Sequence, residues 1–331
     1  MNVGFFVRHF TERGTEIAIY DYAHYNETIL NNKSIIICFT ERKMRELNFP
    51  TTRHSFEKFN TRFPIIEIGD IQEMKTIIEK YHLSFFYTLT YGGKNDCYDF
   101  KNKELWGGCK TIKHCVFYLN DPEGDFYIGI ADFLNKKCQT NYPIIEHIVE
   151  FHETDENLRK ELMIPENAIV LGRHGGMDEF NIPMTHAAIR EYVQNNDDIY
   201  FLFMNTTRFY HHPRIIHLDR SVDKTYKAKF INTCDAMIHA REMGEIFPMS
   251  IAEFSIKNKP VITSPTGETG HIDILGEKAI IYTSKEELLD VFKNIKIKIN
   301  SRQDWNAHQL YTPEYIMNKF KYLIFDNLNN Q

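Results

Sequence analysis

Short, uninterrupted apolar runs alternate along this chain with amphipathic stretches, and the alternation is run through twice. Strands that are apolar on both faces belong to a parallel sheet covered by helices on each side. In the first cycle, residues 3–7, 34–39, 65–68, 85–90 and 115–119 read as strands, with helices at 15–30 and 71–81. A charged stretch between His152 and Pro165 then reads as a connector. The second cycle has strands at 168–171, 199–204, 215–218, 236–239, 261–263 and 279–282, and helices near 185–193, 224–233, 249–257 and 286–292. A closing helix is predicted at 313–325, with Pro313 in its first turn.

Length agrees with two cycles. At 331 residues the chain exceeds the size at which one core stops growing, and two domains of about 150 residues each are expected. The predicted division is 1–154 and 155–312. The net charge of −6 is spread evenly: residues 1–150 carry 18 basic against 20 acidic side chains, and the remainder 21 against 25. Neither half is a basic nucleic-acid platform. No apolar run approaches the roughly 18 residues that span a bilayer, so no stable membrane anchor is expected. The six cysteines form no C-x-x-C pair, which suits a soluble protein in a reducing, cytoplasmic setting. There is no H-E-x-x-H, and His211-His212 sits beside Pro213 in a loop-like stretch; no metal site is expected.

Ligands of doubly wound sheets bind outside the carboxyl ends of the strands, so chemistry is sought in the loops that follow them. The most specific such segment runs from His239 through Arg241, Glu245, Phe247, Met249 and Ser250 to Glu253. It leaves a predicted strand and enters a predicted helix, whose first amides and positive dipole end suit the phosphates of a nucleotide. A carboxylate farther along, such as Glu253, can accept hydrogen bonds from two adjacent ribose hydroxyls, while Glu245 in the loop faces a sugar. Ser250 and Glu253 also have the spacing of a capping box.

This Glu-x7-Glu segment, reading GEIFPMSIAEFSIKNKPVITS, resembles the donor site of the retaining GT-B glycosyltransferases of the "group 1" or family 4 type. Two further stretches extend the likeness. Residues 168–173 supply a strand ending in Gly172-Arg173, where the family has Gly-Arg followed by a lysine; Arg13-Gly14-Thr15-Glu16 follows the first strand as the family's Gly-Gly-x-Glu turn does. The chain departs from the pattern at Ile246 and Pro248, which stand where glycines are common, and in the absent lysine, whose place His174-Gly-Gly takes. Pro248 has no N–H to give a phosphate.

The resemblance implies an α/β chain of the GT-B fold, two Rossmann-like doubly wound domains facing across a cleft, with the helix at 313–325 crossing back to the first domain. It implies transfer of a sugar from a nucleotide-sugar, UDP- or GDP-linked, to a hydroxyl acceptor such as a glycan, a protein-linked glycan or a lipid. The anomeric configuration is retained, and neither metal nor cofactor takes part. Glu245 is then the catalytic carboxylate. Glu253 takes the ribose, and Arg173 takes the diphosphate with Gly175 and Gly176 or with Arg241 or Arg208. Gly14, Gly172, His239, Arg241, Phe247, Met249 and Ser250 complete the donor side. The loops after the strands of the first domain give Tyr91, Gly92, Gly93, Lys94, Asn120 and Asp121 as acceptor-side candidates. The histidine that this family often places after a central strand has no counterpart in the 118–125 loop, and His114 is placed at the other end of the 115–119 strand. A sugar-nucleotide epimerase or phosphorylase-like enzyme, and a non-catalytic binding protein, are the alternatives on the same fold.

Overall fold

The computed structural model describes residues 1–11, 14–93 and 98–326. Contacts divide the chain into two compact units, one of residues 1–148 with the stretch from Leu310 onward, the other Val149–Gln309. The division falls at Ile148 because Glu150 pairs with Lys224 and Asn232 donates to the Thr154 carbonyl, so the connector belongs to the second unit.

The first unit is a six-stranded parallel sheet of β1 (Asn2–Val7), β2 (Lys33–Phe39), β3 (Ile65–Ile68), β4 (Leu83–Thr90), β5 (Lys110–Cys115) and β6 (Phe126–Gly129), in the order β3-β2-β1-β4-β5-β6. Its helices are α1 (Gly14–Thr28), α2 (Glu41–Glu46), α3 (Arg53–Arg62), α4 (Met74–Tyr81), α5 (Lys103–Trp106) and α6 (Asp132–Cys138). Of these, α2, α3, α5, α6 and strand β6 are not among the elements expected from the sequence. The expected strand at 115–119 is corrected: the strand is β5, ending at Cys115, and His114 lies inside it opposite Leu89. Its polar letters hide it. Lys113 is fully buried because its ammonium finds Asp121 at 3.2 Å, and the buried His114 ring lies 2.8 Å from both the Tyr87 hydroxyl and the Ile145 carbonyl.

The second unit repeats the plan with β7 (Ile169–His174), β8 (Ile199–Met204), β9 (Ile215–Leu218), β10 (Ala236–Ile238), the two-residue β11 (Gly244–Glu245), β12 (Val261–Thr263), the two-residue β13 (Glu268–Thr269) and β14 (Ala279–Ile281). The main sheet runs β14-β12-β10-β7-β8-β9, and β11 pairs with β13 beside it. Its helices are α7 (Pro183–Asn195), α8 (Lys224–Thr233), α9 (Met249–Ile256), α10 (Gly270–Leu275), α11 (Lys285–Lys293) and α12 (Ile295–Asn300). Consecutive residues are buried on opposite faces: Leu171, Phe201 and Ile238 join one core, Val170, Leu202 and Met237 the other. That double burial is why the strands read as unbroken apolar runs.

In each unit the strand order is 3-2-1-4-5-6 of its own strands, so the winding reverses between β1 and β4 and between β7 and β10. These are the switch points at which such sheets bind ligands.

The last helix, α13 (Pro313–Phe320), is part of the first unit. Thr312 caps it and Pro313 opens it, and its apolar stripe of Ile316, Met317 and Phe320 is buried. The Phe320 ring meets Tyr22 at 5.6 Å, and Lys319 pairs with Glu146 at 2.8 Å.

Candidate active site at the carboxyl end of the second sheet

The loops after β7 and β10 converge at the second switch point. After β10 the chain turns through His239 and Arg241 and pairs briefly as β11. Gly244 makes that pairing possible: at φ +66 it sits so close to β13 that a Cβ would meet the Glu268 carbonyl oxygen at 2.1 Å. Pro248 then precedes α9 in an extended conformation, with no side-chain cap. The capping-box reading of Ser250 and Glu253 therefore fails. The first amides of α9, from Met249 onward, have no capping side chain, the arrangement that suits an anion.

Glu245 is held by two basic neighbours. Arg241 Nη1 lies 2.7 Å from Oε2, and His239 Nε2 lies 3.7 Å from Oε1. Burial alone would push the Glu245 carboxyl up; His239 and Arg241 outweigh it, and the pKa stands below the ordinary value. Arg241 also reaches Glu179 at 3.1 Å. Burial works against its charge, but Glu245 and Glu179 prevail and its pKa is raised. Both groups are ionised at neutral pH.

Glu253, one turn into α9, is bound from α8 and β7. Lys227 Nζ is 2.7 Å from Oε1. His174 Nε2 is 2.9 Å from Oε2, outside hydrogen-bonding geometry. Burial again opposes the charge and is overcome, chiefly by Lys227, so the carboxyl falls well below the usual range. His174 is itself depressed by burial and stays neutral, leaving Lys227 as the cation of this pair.

Arg173 is not displayed as a phosphate clamp. Only 3% exposed, it donates to Thr206 Oγ1 at 2.6 Å and to the Gly176 carbonyl at 2.8 Å, buckling the loops after β7 and β8 together. Burial lowers its pKa to about 10, so it remains charged. Gly172 lies inside β7, where a Cβ would meet Cys234 Sγ at 2.1 Å; it packs against the end of α8 and does not join the carboxylates. Phe247 is buried beside His308. The structure thus gathers His239 and Arg241 around Glu245, while Glu253, on α9, the helix that Met249 and Ser250 open, is held by Lys227 and His174.

Three residues of this site escaped the sequence reading: Lys227, Thr263 and His271. Each comes from a different element, and no local motif marks them. Among the described residues no group of three or more metal-ligating side chains is assembled.

The remaining candidates lie in the first unit. Gly14 opens α1. Tyr91 is 54% exposed and its ring lies tilted against Phe117, centroids 5.0 Å apart. Gly92, at φ +86, lets the chain pass so near the Tyr118 carbonyl that a Cβ would lie 2.0 Å from its oxygen. Gly93 follows it. Asn120 is exposed, and Asp121 is spent on the buried Lys113. Lys94 lies outside the described residues. No helix among the described residues is long and apolar enough to cross a membrane.

No protein-family model matches the sequence, and no curated protein matches it. Solved structures do. A sucrose-phosphate synthase from Thermosynechococcus elongatus matches with a TM-score of 0.68 at 12% identity, over 100% of both chains. HepE of Anabaena in complex with UDP matches at 0.67 and 12%, over 98% of this chain and 100% of that one. A glycosyltransferase from Rickettsia africae matches at 0.65 and 14%, over 99% and 97%. At these identities the likeness concerns architecture, and with two tandem sheets of 3-2-1-4-5-6 order the chain has the GT-B fold.

Proposed function

We propose that this chain is a retaining glycosyltransferase that moves a sugar from a nucleotide-sugar donor, UDP- or GDP-linked, to a hydroxyl acceptor. The observation that carries the reading is the placement of two ionised carboxylates, Glu245 and Glu253, on either side of the uncapped start of α9 at a switch point. Glu253 takes the ribose hydroxyls, with Lys227 holding the carboxylate charged. The amides of Met249 and Ser250 face the diphosphate, with the partly exposed Arg241 of the same loop as its cation. Arg173 acts indirectly, by fixing the loops after β7 and β8.

As the bond from the anomeric carbon to phosphate breaks, negative charge grows on the leaving diphosphate and positive charge on the sugar ring. Fixed dipoles at the first and a fixed carboxylate, Glu245, beside the second lower the barrier. The reading invokes no metal. The acceptor is assigned to the first unit, to the loops bearing Tyr91, Gly92, Gly93, Lys94, Asn120 and Asp121, and Gly14 is kept on the donor side.

A thermal-shift panel of UDP, GDP, ADP, CMP and their sugars tests the donor, since a ligand that binds only the folded state raises the melting point. A rise with UDP- or GDP-compounds, followed by acceptor-dependent consumption of the sugar nucleotide, is the expected result. Isomerisation of the donor without acceptor would make the chain an epimerase. Binding without turnover would make it a binding protein.

A further inference from the structure

Behind Glu245 lies a closed chain of hydrogen-bonding groups. His239 follows β10, Thr263 ends β12, and His271 is the second residue of α10; their exposures are 5%, 0% and 1%. His271 Nε2 is 2.9 Å from Thr263 Oγ1, and Thr263 Oγ1 is 2.9 Å from His239 Nδ1. One end of the chain, His239 Nε2, lies 3.7 Å from Glu245 Oε1; the other, His271 Nδ1, lies 3.4 Å from the Glu245 backbone oxygen.

One arrangement of hydrogens satisfies every member. His271 Nδ1 faces the carbonyl oxygen of Glu245, which only accepts, so it carries the ring hydrogen. Burial holds that ring neutral, with its pKa pushed down to about 4. Its Nε2 is therefore bare and takes the single hydrogen of the Thr263 hydroxyl. The Thr263 oxygen then has only lone pairs to offer His239, and the hydrogen between them belongs to His239 Nδ1. The atom left without a hydrogen is His239 Nε2, buried, 3.7 Å from Glu245 Oε1 and without a hydrogen-bond partner. A neutral His239 facing Glu245 alone would adopt the opposite tautomer, with its hydrogen on Nε2 toward the carboxylate.

We propose that Thr263 and His271 are positioning residues that pin a hydrogen on His239 Nδ1, so that His239 Nε2 and Glu245 Oε1 form a proton-sharing pair for a hydroxyl of the transferred sugar. The sugar half rests on the glycosyltransferase reading; the tautomer half does not. The charges around the pair are Arg241 on the other Glu245 oxygen, Glu179 beyond it, and Arg173 from β7. Arg241 and Arg173 keep their charge across the neutral range. A hydroxyl set against the pair can accept from a protonated Nε2 while donating to Oε1, or donate to a bare Nε2.

Nitrogen NMR of the full chain labelled with 15N-histidine, from about pH 5 to 8, reads each tautomer directly. The expected result is a neutral His239 with its hydrogen on Nδ1, and a His271 with Nδ1 protonated and Nε2 bare. Thr263→Val should release His239 to the Nε2–H tautomer at high pH, and Thr263→Ser should restore the wild-type pattern. A wild-type His239 with hydrogen on Nε2 and none on Nδ1 at high pH overturns the proposal, as does a Thr263→Val spectrum equal to wild type. Added UDP-glucose should shift His239 Nε2 and leave His271 in place. Binding seen by thermal shift with no change at Nε2 overturns the sugar half. Absence of binding counts against the donor reading, and the tautomers of the free protein still decide the relay.

Discussion

Lys227 Nζ, from α8, lies 2.7 Å from Glu253 Oε1 on α9, and both side chains are only about one-fifth exposed, 22% and 21%. Removing the cation leaves a carboxylate that burial disfavours and that His174, neutral, does not compensate. Lys227→Met should cost on the order of 2 kcal/mol at pH 7. The folded pKa of Glu253 is depressed, so its contribution is complete above the unfolded value of about 4.3 and fades as pH falls toward the folded one. Urea denaturation should therefore show a gap between wild type and variant that narrows below about pH 4.3. A gap that stays constant into acid would contradict the pairing.

Glu245 makes a kinetic prediction. Glu245→Gln keeps the shape and removes the charge that favours a developing cation, and should lower kcat about a hundredfold with an identified donor, leaving affinity for the free nucleoside diphosphate within a few-fold. Arg241 retains Glu179 as a partner at 3.1 Å, so folding should survive. Equal losses in kcat and in nucleotide affinity would move Glu245 from the sugar to the nucleotide.

Gly172 tests how tightly β7 packs on α8. A Cβ there meets Cys234 Sγ at 2.1 Å and Phe254 at 3.4 Å, so Gly172→Ala should destabilise by about 3 kcal/mol as an overpacked core does. Cys234→Ala removes the sulfur and should recover much of that loss in the double variant, a coupling expected of residues in contact. Simple additivity in chemical denaturation would deny the clash.

The inner strands of the second unit are legible because β8, β10 and β12 are buried on both faces and carry almost no polar letters. Strand β5 was not, since Lys110, Lys113 and His114 interrupt the apolar pattern, and the buried Lys113 and His114 are reconciled with burial only by tertiary partners such as Asp121 and Tyr87. The same holds at the site. Glu245 and Glu253 announce themselves by spacing between a strand and a helix. Lys227, Thr263 and His271 reach them from α8, β12 and α10, so nothing local records the meeting. Arg173 shows the reverse error, a residue placed correctly along the chain whose side chain turns inward to carbonyl and hydroxyl acceptors.

Phe320 carries the attachment of α13 to the first sheet. Its ring is 1% exposed between Tyr22 and Tyr87, 5.6 and 6.0 Å away. Phe320→Ala should cost about 3–4 kcal/mol, the range for emptying an aromatic site in a core. Melting of the variant well below wild type is the expected reading; a shift within a degree would place α13 outside the cooperative unit.

Buried neutral histidines set the acid limit of the fold. Burial lowers His114 to about 3, His147 to about 4, His271 to about 4 and His308 to about 3. An unfolded histidine titrates near 6.5, so below that pH the unfolded chain binds protons that the folded chain refuses. The stability these groups lend is complete above about 6.5 and is lost as pH falls toward their folded values, at up to ~1.4 kcal/mol per pH unit for each ring. His114 isolates one of them. Its Nε2 donates to the Ile145 carbonyl and its bare Nδ1 accepts from the Tyr87 hydroxyl, both at 2.8 Å, and a glutamine amide offers the same donor and acceptor without a titrating site. Stability followed by urea between about pH 6.5 and 4.5 should fall less steeply in His114→Gln, by about one proton's worth of slope. An unchanged slope would mean that His114 is already protonated in the folded chain, and the Tyr87 hydroxyl would then have to turn its hydrogen elsewhere.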